Sequence, residues 1–357
     1  MKGLIVKKHS NFYYVKVSDN KIYECMLRER LKKEHQEVLV GDYVELEEPN
    51  DDTLQAVIST IEDRISYISR PNIANMQQNI IVMALNKPAI DLNQLDRFVI
   101  HTLIAGLKPV ICINKCDLKD KKQILPVIRE LYPSLGIDVL EVSAINCTGL
   151  DTLKELLKDK KNVFSGPSGV GKSTIINALK PGANLRVGNI GAKSNKGTHT
   201  TRHSELVYID IDADNQCIIA DTPGFSYLKF DKYLPDVIEK QFLEFEPYRK
   251  DCYYNDCIHL NEAECGVKNN LDKISDSRYD SYCKFVSEAL EYKDKLYSMS
   301  TKEESITKAV NSSGKNDKQR LKLGYNLVEQ SRKSYKQKLS SISSSDNTED
   351  LYDDSID

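Results

Sequence analysis

The sequence predicts an α/β fold: a mostly parallel sheet covered by helices, led by a small antiparallel barrel and followed by a cysteine-bearing helical segment. Three observations carry that prediction. From about residue 72 to 220, short apolar runs alternate with amphipathic stretches, the rhythm of β-α units around a parallel sheet. Eight of the 16 glycines fall between Gly166 and Gly224, where the backbone must turn tightly or approach something closely. Cys252, Cys257 and Cys265 crowd together, whereas the other cysteines are scattered.

Taken in order, residues 1–63 carry short strands. Tyr13, Val15 and Val17 alternate with polar residues, Ile22–Met26 follows an Asp19-Asn20 turn, Gly41-Asp42 introduces Tyr43–Leu46, and a further run surrounds Val57-Ile58. An OB-fold or an SH3-like barrel satisfies this spacing. Ile80–Leu85 then reads as a buried strand, Leu92–Ala105 as a helix, Pro109–Ile113 as a strand and Lys119–Leu131 as a helix. Val139–Val142 is a strand, Leu150–Leu157 a helix, and Asn162–Ser165 a strand entering a glycine-rich turn. A helix over Ser173–Leu179 and strands at Leu206–Ile211 and Cys217–Ala220 complete the series. Helical patterns flank the cysteines within 228–300, and the Lys/Ser/Asn-rich remainder, 301–357, reads as an extension. A basic helix over Gln319–Leu339 is one reading of it, with disorder expected over Ser340–Asp357. The expected domain plan is therefore 1–63, 72–227, 228–300 and the extension.

The balance of 40% apolar and 29% charged residues describes a soluble globular protein. The longest apolar stretch, Ile80–Leu85, cannot span a bilayer, and Met1–Lys8 lacks the apolar length of a secretion signal. A cytoplasmic protein with no membrane association is expected, its cysteines reduced. The net charge of −3 hides an uneven tail: residues 311–340 carry eight Lys/Arg against two Asp/Glu, and 341–357 carry six acidic side chains and no basic one.

Gly166-Pro167-Ser168-Gly169-Val170-Gly171-Lys172-Ser173-Thr174 fits G-x-x-x-x-G-K-[ST] in full, after a predicted strand and before a predicted helix. Its backbone N–H groups can wrap phosphates, Lys172 hold the β- and γ-phosphates, and Ser173 ligate Mg²⁺. Asn114-Lys115-Cys116-Asp117 selects the base, since the Asp117 carboxylate can accept from both N1–H and the exocyclic amine of guanine, and adenine offers neither arrangement. That argues against an ATP-using kinase. Ser143-Ala144, after another strand, looks like the companion loop whose backbone N–H faces guanine O6. Asp221-Thr-Pro-Gly224 suits a water-mediated Mg²⁺ contact at Asp221 and a γ-phosphate-sensing N–H at Gly224.

The order of these elements is unusual. In most GTPases the base-recognition motifs follow the P-loop; here they precede it, so the domain is circularly permuted, which is tolerated when the original termini lie close together. Phe225 stands where many GTPases carry a water-orienting glutamine, so a substitute must come from elsewhere. Gly197-Thr198-His199-Thr200-Thr201-Arg202 lies in the switch I position; Thr200 or Thr201 should reach Mg²⁺, and His199 could position water, the alternative being a solvent-exposed or phosphate-binding histidine. Farther on, Cys252, Cys257, His259 and Cys265 offer three thiolates and an imidazole, a closed tetrahedral shell for one structural Zn²⁺ per chain. Three buried reduced cysteines are the plainer alternative.

Together the permuted order, H-T-T-R-H, D-T-P-G-F and C-x₄-C-x-H-x₅-C resemble the ribosome small-subunit-dependent GTPase A (RsgA) family, from the N-terminus to about residue 298. The resemblance implies an N-terminal OB-fold, a circularly permuted P-loop GTPase domain and a C-terminal zinc-binding α-helical domain. It further implies a GTP hydrolase acting late in small (30S) subunit assembly, with GTP/GDP, 16S rRNA and the subunit as partners, Mg²⁺ accompanying GTP, and a monomer. It places the water-positioning histidine on His199 and the switch I magnesium threonine on Thr201, while Thr198 stands where the family usually has Arg or Lys. An RNA-binding assembly factor that uses GTP only as a conformational ligand is the alternative.

Overall fold

The computed structural model describes residues 1–33, 37–69, 72–118, 124–180, 205–212, 215–221, 228–300, 307–309 and 319–321. His199, Thr198, Thr200, Thr201, Gly224, Phe225 and nearly all of the 301–357 extension lie outside these residues.

Five strands open the chain: β1 Lys2–His9, β2 Phe12–Val17, β3 Ile22–Leu27, β4 Tyr43–Asn50 and β5 Gln55–Ile61, with a short α1 at Glu29–Lys33. Their alternation turns Tyr13, Val15, Tyr23, Cys25, Val44, Leu46 and Ile58 inward. The strands pair in the order β1-β2-β3-β5-β4, β1 closes against β4, and β3 runs parallel to β5. This is OB-fold topology, which decides between the two barrels that the strand spacing allowed. A ribbon of β6 Tyr67–Ser69 and β7 Asn72–Ala74 follows.

The α/β part comprises β8 Gln78–Ala84, α2 Leu92–Ile104, β9 Lys108–Asn114, α3 Ile124–Ser134, β10 Asp138–Glu141, α4 Leu150–Leu157, β11 Lys161–Ser165, α5 Lys172–Leu179, β12 Glu205–Asp210 and β13 Gln216–Asp221. Strands β10-β9-β8-β11-β13 are parallel, and β12 adds an antiparallel strand that pairs on its other side with β1 of the barrel. Helices cover both faces. Ile80, Val82, Val110 and Phe164 pack with Leu153 of α4 and Ile175 of α5, while Ile81, Met83, Ile111 and Ile113 pack with Phe98 of α2 and Ile128 of α3. Two covered faces explain why β8 is apolar at nearly every position rather than alternating. The barrel core continues into this sheet through Val163, Leu206 and Ala220.

Helix α3 ends later than its sequence pattern suggested. Pro126 sits in its first turn, where proline lacks no needed N–H, and Tyr132 carries the helix onward because its hydroxyl donates to buried Asp96 at 2.8 Å. Asp96 also accepts from Arg278 at 2.6 Å, and Arg278 reaches Glu244 at 2.7 Å, a fully buried guanidinium neutralised on two sides. Burial pushes the Asp96 carboxyl above its ordinary range despite Arg278.

After β13 come α6 Pro235–Glu239, a 3₁₀ turn Leu243–Phe245, α7 Glu246–Arg249, a 3₁₀ stretch Lys268–Lys273, and α8 Asp276–Ser300. The chain forms two compact units, one of residues 1–228 with 240–283 and one of 229–239 with 284–357. Within the second, Phe230 packs its ring 4.7 Å from that of Phe285 and donates its N–H to Glu288 at 2.9 Å. There too β14 Thr307–Ala309 pairs antiparallel with β15 Gln319–Leu321. The basic helix read over Gln319–Leu339 is corrected at its start, where Gln319–Leu321 are extended and pair with Thr307–Ala309; the rest of that stretch lies outside the described residues.

Candidate nucleotide site and cysteine–histidine cluster

Among the described residues, the motifs of the α/β part sit at the C-terminal ends of strands, the edge where open parallel sheets bind ligands. Asn114 ends β9, Ser143 follows β10, Gly166 follows β11, and Asp221 ends β13. Strand β11 lies between β8 and β13, so the P-loop is central. Gly166 has φ 134° and its missing Cβ would meet the Val82 carbonyl at 2.1 Å; no other residue fits so close to β8.

Asn114 joins the separated motifs. Its amide donates to the Val170 carbonyl in the P-loop at 2.9 Å, and its oxygen accepts the Ala144 N–H at 3.3 Å. A Cβ on Gly171 would fall 2.4 Å from the Asn114 amide nitrogen, so glycine at 171 is what lets the two loops touch. Lys115, at φ 63°, donates to the Gly169 carbonyl at 2.7 Å and to Lys87 O at 2.5 Å. The Ser143 hydroxyl donates to the Asp117 carboxylate at 2.6 Å and fixes its direction. Cys116 is half-buried; its thiol donates to the Ile113 carbonyl at 3.2 Å and is pushed up to about 11 mainly by burial. The structure therefore brings together Asn114, Lys115, Cys116, Asp117, Ser143, Ala144 and the P-loop residues 166–174. The Ala144 N–H expected to face the base is directed to Asn114.

Lys172 begins α5 and donates to the Gly166 and Pro167 carbonyls at 2.7 and 2.8 Å. Burial lowers its ammonium to about 8. Ser173 lies in the same first turn, and its hydroxyl is a hard oxygen donor of the kind Mg²⁺ takes.

In the cysteine–histidine cluster, the Cys252, Cys257 and Cys265 sulfurs and a His259 nitrogen lie within 4.8 Å of one another. His259 Nδ1 is 3.6, 3.3 and 3.2 Å from the three sulfurs in chain order, and Cys252 Sγ is 4.0 Å from Cys265 Sγ. A zinc tetrahedron with ordinary bond lengths has edges of about 3.6 Å for N···S and about 3.8 Å for S···S, so the donor set fits zinc in kind and in size. The surroundings hold the ligands in place. His259 adopts φ 56°, Tyr279 donates to its carbonyl at 2.7 Å, and the Lys268 N–H points at Cys265 Sγ at 3.4 Å. The Glu262 carboxylate accepts from the N–H groups of Ile258, Leu260 and Asn261; burial would raise it, but these bonds hold it below its ordinary value.

Glu262, Tyr279 and the Ser143 hydroxyl are supports that no sequence motif marks. Glu262 alone had a visible signal, a carboxylate in the middle of a ligand loop.

Residues 2–58 match the RsgA N-terminal domain, 61–231 the RsgA GTPase model, and 161–309 a model described as a 50S ribosome-binding GTPase. The small ribosomal subunit biogenesis GTPase RsgA of Alkaliphilus metalliredigens is 38% identical over 289 residues, covering 80% of this chain and 97% of that protein. The chain belongs to the RsgA GTPase family. The RsgA of Clostridium kluyveri is 39% identical over 290 residues, 81% of this chain and 98% of its own. Among solved structures, YjeQ from Thermotoga maritima is 31% identical with TM-score 0.68, covering 81% of this chain and 98% of YjeQ. YloQ, described as a circularly permuted GTPase, is 31% identical with TM-score 0.66, covering 82% and 95%. This RsgA-family chain is thus a GTP hydrolase of permuted order, with an OB barrel before the GTPase fold and a cysteine–histidine cluster after it.

Proposed function

We propose that this GTPase acts in late maturation of the small (30S) ribosomal subunit, binding its 16S rRNA and hydrolysing GTP to GDP with subunit-stimulated turnover, as a cytoplasmic monomer. The observation that carries the GTPase part is Asn114, whose one side chain ties base-recognition and phosphate loops into a single site. Asp117, aimed by Ser143, selects guanine. Lys172 holds the β- and γ-phosphates, and the P-loop N–H groups cradle them. Ser173 and Thr201 would hold Mg²⁺, which neutralises charge on the phosphates, with Asp221 and Gly224 beside the γ-phosphate. His199 orients the attacking water, the task Phe225 cannot perform. Cys252, Cys257, His259 and Cys265 would hold one Zn²⁺ with no position left open, a structural role.

A second reading follows from the model described as 50S ribosome-binding. The relatives named for the small subunit match nearly their whole length and outweigh it. Steady-state GTP hydrolysis with purified small or large subunits separates the two. Stimulation by small subunits is expected, abolished in His199→Ala while GTP affinity persists. Stimulation by large subunits alone would overturn the reading.

A further inference from the structure

Where the barrel meets the sheet, two tyrosine rings and three lysines interleave. Lys16 on β2 holds its ammonium 3.6 Å from the centre of the Tyr208 ring on β12. Lys161, the first residue of β11, lies 4.2 Å from the centre of the Tyr43 ring on β4 and donates to its hydroxyl at 2.6 Å. Lys180, directly after α5, donates to the Tyr208 carbonyl at 2.6 Å. All five residues are half-buried.

These three ammonium groups have neutral partners only: a ring face, a phenol with its ring, and a carbonyl. No described carboxylate lies within 4.0 Å of them. Two acids are paired with other lysines, Glu62 with Lys2 at 2.6 Å and Glu205 with Lys7 at 3.0 Å. A chain of net charge −3 thus keeps three lysines without a carboxylate partner within 4.0 Å where the barrel adjoins the sheet. A clamp between two folded parts would gain more by pairing lysine with carboxylate. Ammonium groups held against rings have ordered stems and protons free for an anion. The adjacent aromatic edges suit a nucleic acid, which presents phosphates and bases side by side.

We propose that Lys16, Lys161 and Lys180, framed by Tyr43 and Tyr208, form a binding surface for the phosphate backbone of RNA. The proposal deepens the reading of this chain as a partner of ribosomal RNA and rests on it. Residues 181–204, which include His199 and Thr201, run from Lys180 to the start of β12, so RNA on this surface touches both stems of the segment that carries the catalytic histidine.

The test uses full-length protein with Lys16, Lys161 and Lys180 all changed to Gln, beside a triple Lys→Arg variant. Binding to purified small subunits, to protein-free small-subunit rRNA and to polyuridylate is measured across a salt series, with the melting temperature as a folding control. Each phosphate contact on single-stranded RNA contributes about 0.7 to the salt slope, so the Gln variant should lose roughly 2 from it. Affinity should fall about tenfold or more near physiological salt, the Arg variant should bind like the unmodified chain, and hydrolysis without subunits should not change. An unchanged slope on all three probes would overturn the proposal and leave the lysines as seam contacts. Weakened binding to subunits but not to naked rRNA would overturn it in favour of a ribosomal protein. If the unmodified chain binds neither subunits nor rRNA, the ribosomal reading fails, and the polyuridylate slope still judges the surface. Should the triple variant melt early, Lys16→Gln alone decides, with an expected slope loss of about 0.7.

Discussion

Asn114 is 2% exposed, and its amide serves two loops that are far apart in the chain, so its truncation to Ala would unpair the Val170 carbonyl and the Ala144 N–H at once. Lys172 supports a sharper expectation. Burial lowers its ammonium to about 8, so in the free protein its charge is full below that pH and is lost as pH rises through it. Bound phosphates favour the charged form and raise its pKa. GTP binding should therefore take up a proton above pH 8 and weaken between pH 7 and 9. Calorimetry in two buffers of different ionisation enthalpy reads that uptake; equal heats at pH 8.5 would contradict it. Most of this site was legible in the sequence, because phosphate wrapping demands glycine at fixed intervals and guanine demands a carboxylate. The Ser143 hydroxyl on Asp117 was not, since serine in a loop carries no spacing that marks a partner 26 residues away.

At the scale of elements, the loop from Cys252 to Lys268 buries few apolar side chains of its own and is held by the cysteine–histidine cluster, by Glu262 and Tyr279, and by Phe245 and Tyr282 packed on His259. Protein purified without chelator should contain one zinc per chain, and removing it should sharply raise amide exchange in this loop. GTP binding should persist, because the nucleotide loops draw no residue from it. Absence of stoichiometric metal would contradict the assignment. The strands and helices from 78 to 180 were readable within a few residues, because buried strands and amphipathic helices have distinct periods. Two things were not. The barrel type needed the parallel β3–β5 pair, a long-range pairing that strand composition does not encode. The Gln319–Leu321 strand is three residues long, too short for any period, and its conformation follows from its partner.

Across the whole molecule, charge is segregated at the C-terminal end. The basic stretch 311–340 should add phosphate contacts that the acidic stretch 341–357 opposes. Truncation after residue 300 should leave intrinsic hydrolysis unchanged, weaken small-subunit binding and flatten its salt dependence, whereas removing only 341–357 should tighten binding slightly. Identical salt series for all three chains would make the extension a bystander. The permuted architecture was legible from motif order alone, because each motif must sit at a strand end wherever the chain begins. Motifs from either side of the permutation should build one guanine site with Asp117 at the base. The most direct measurement is the nucleotide preference of Asp117→Asn. Xanthine presents a carbonyl where guanine presents an amine, and an amide can donate to it, so the variant should lose GTP affinity and gain affinity for xanthosine triphosphate. An unchanged preference for GTP in Asp117→Asn would contradict the account.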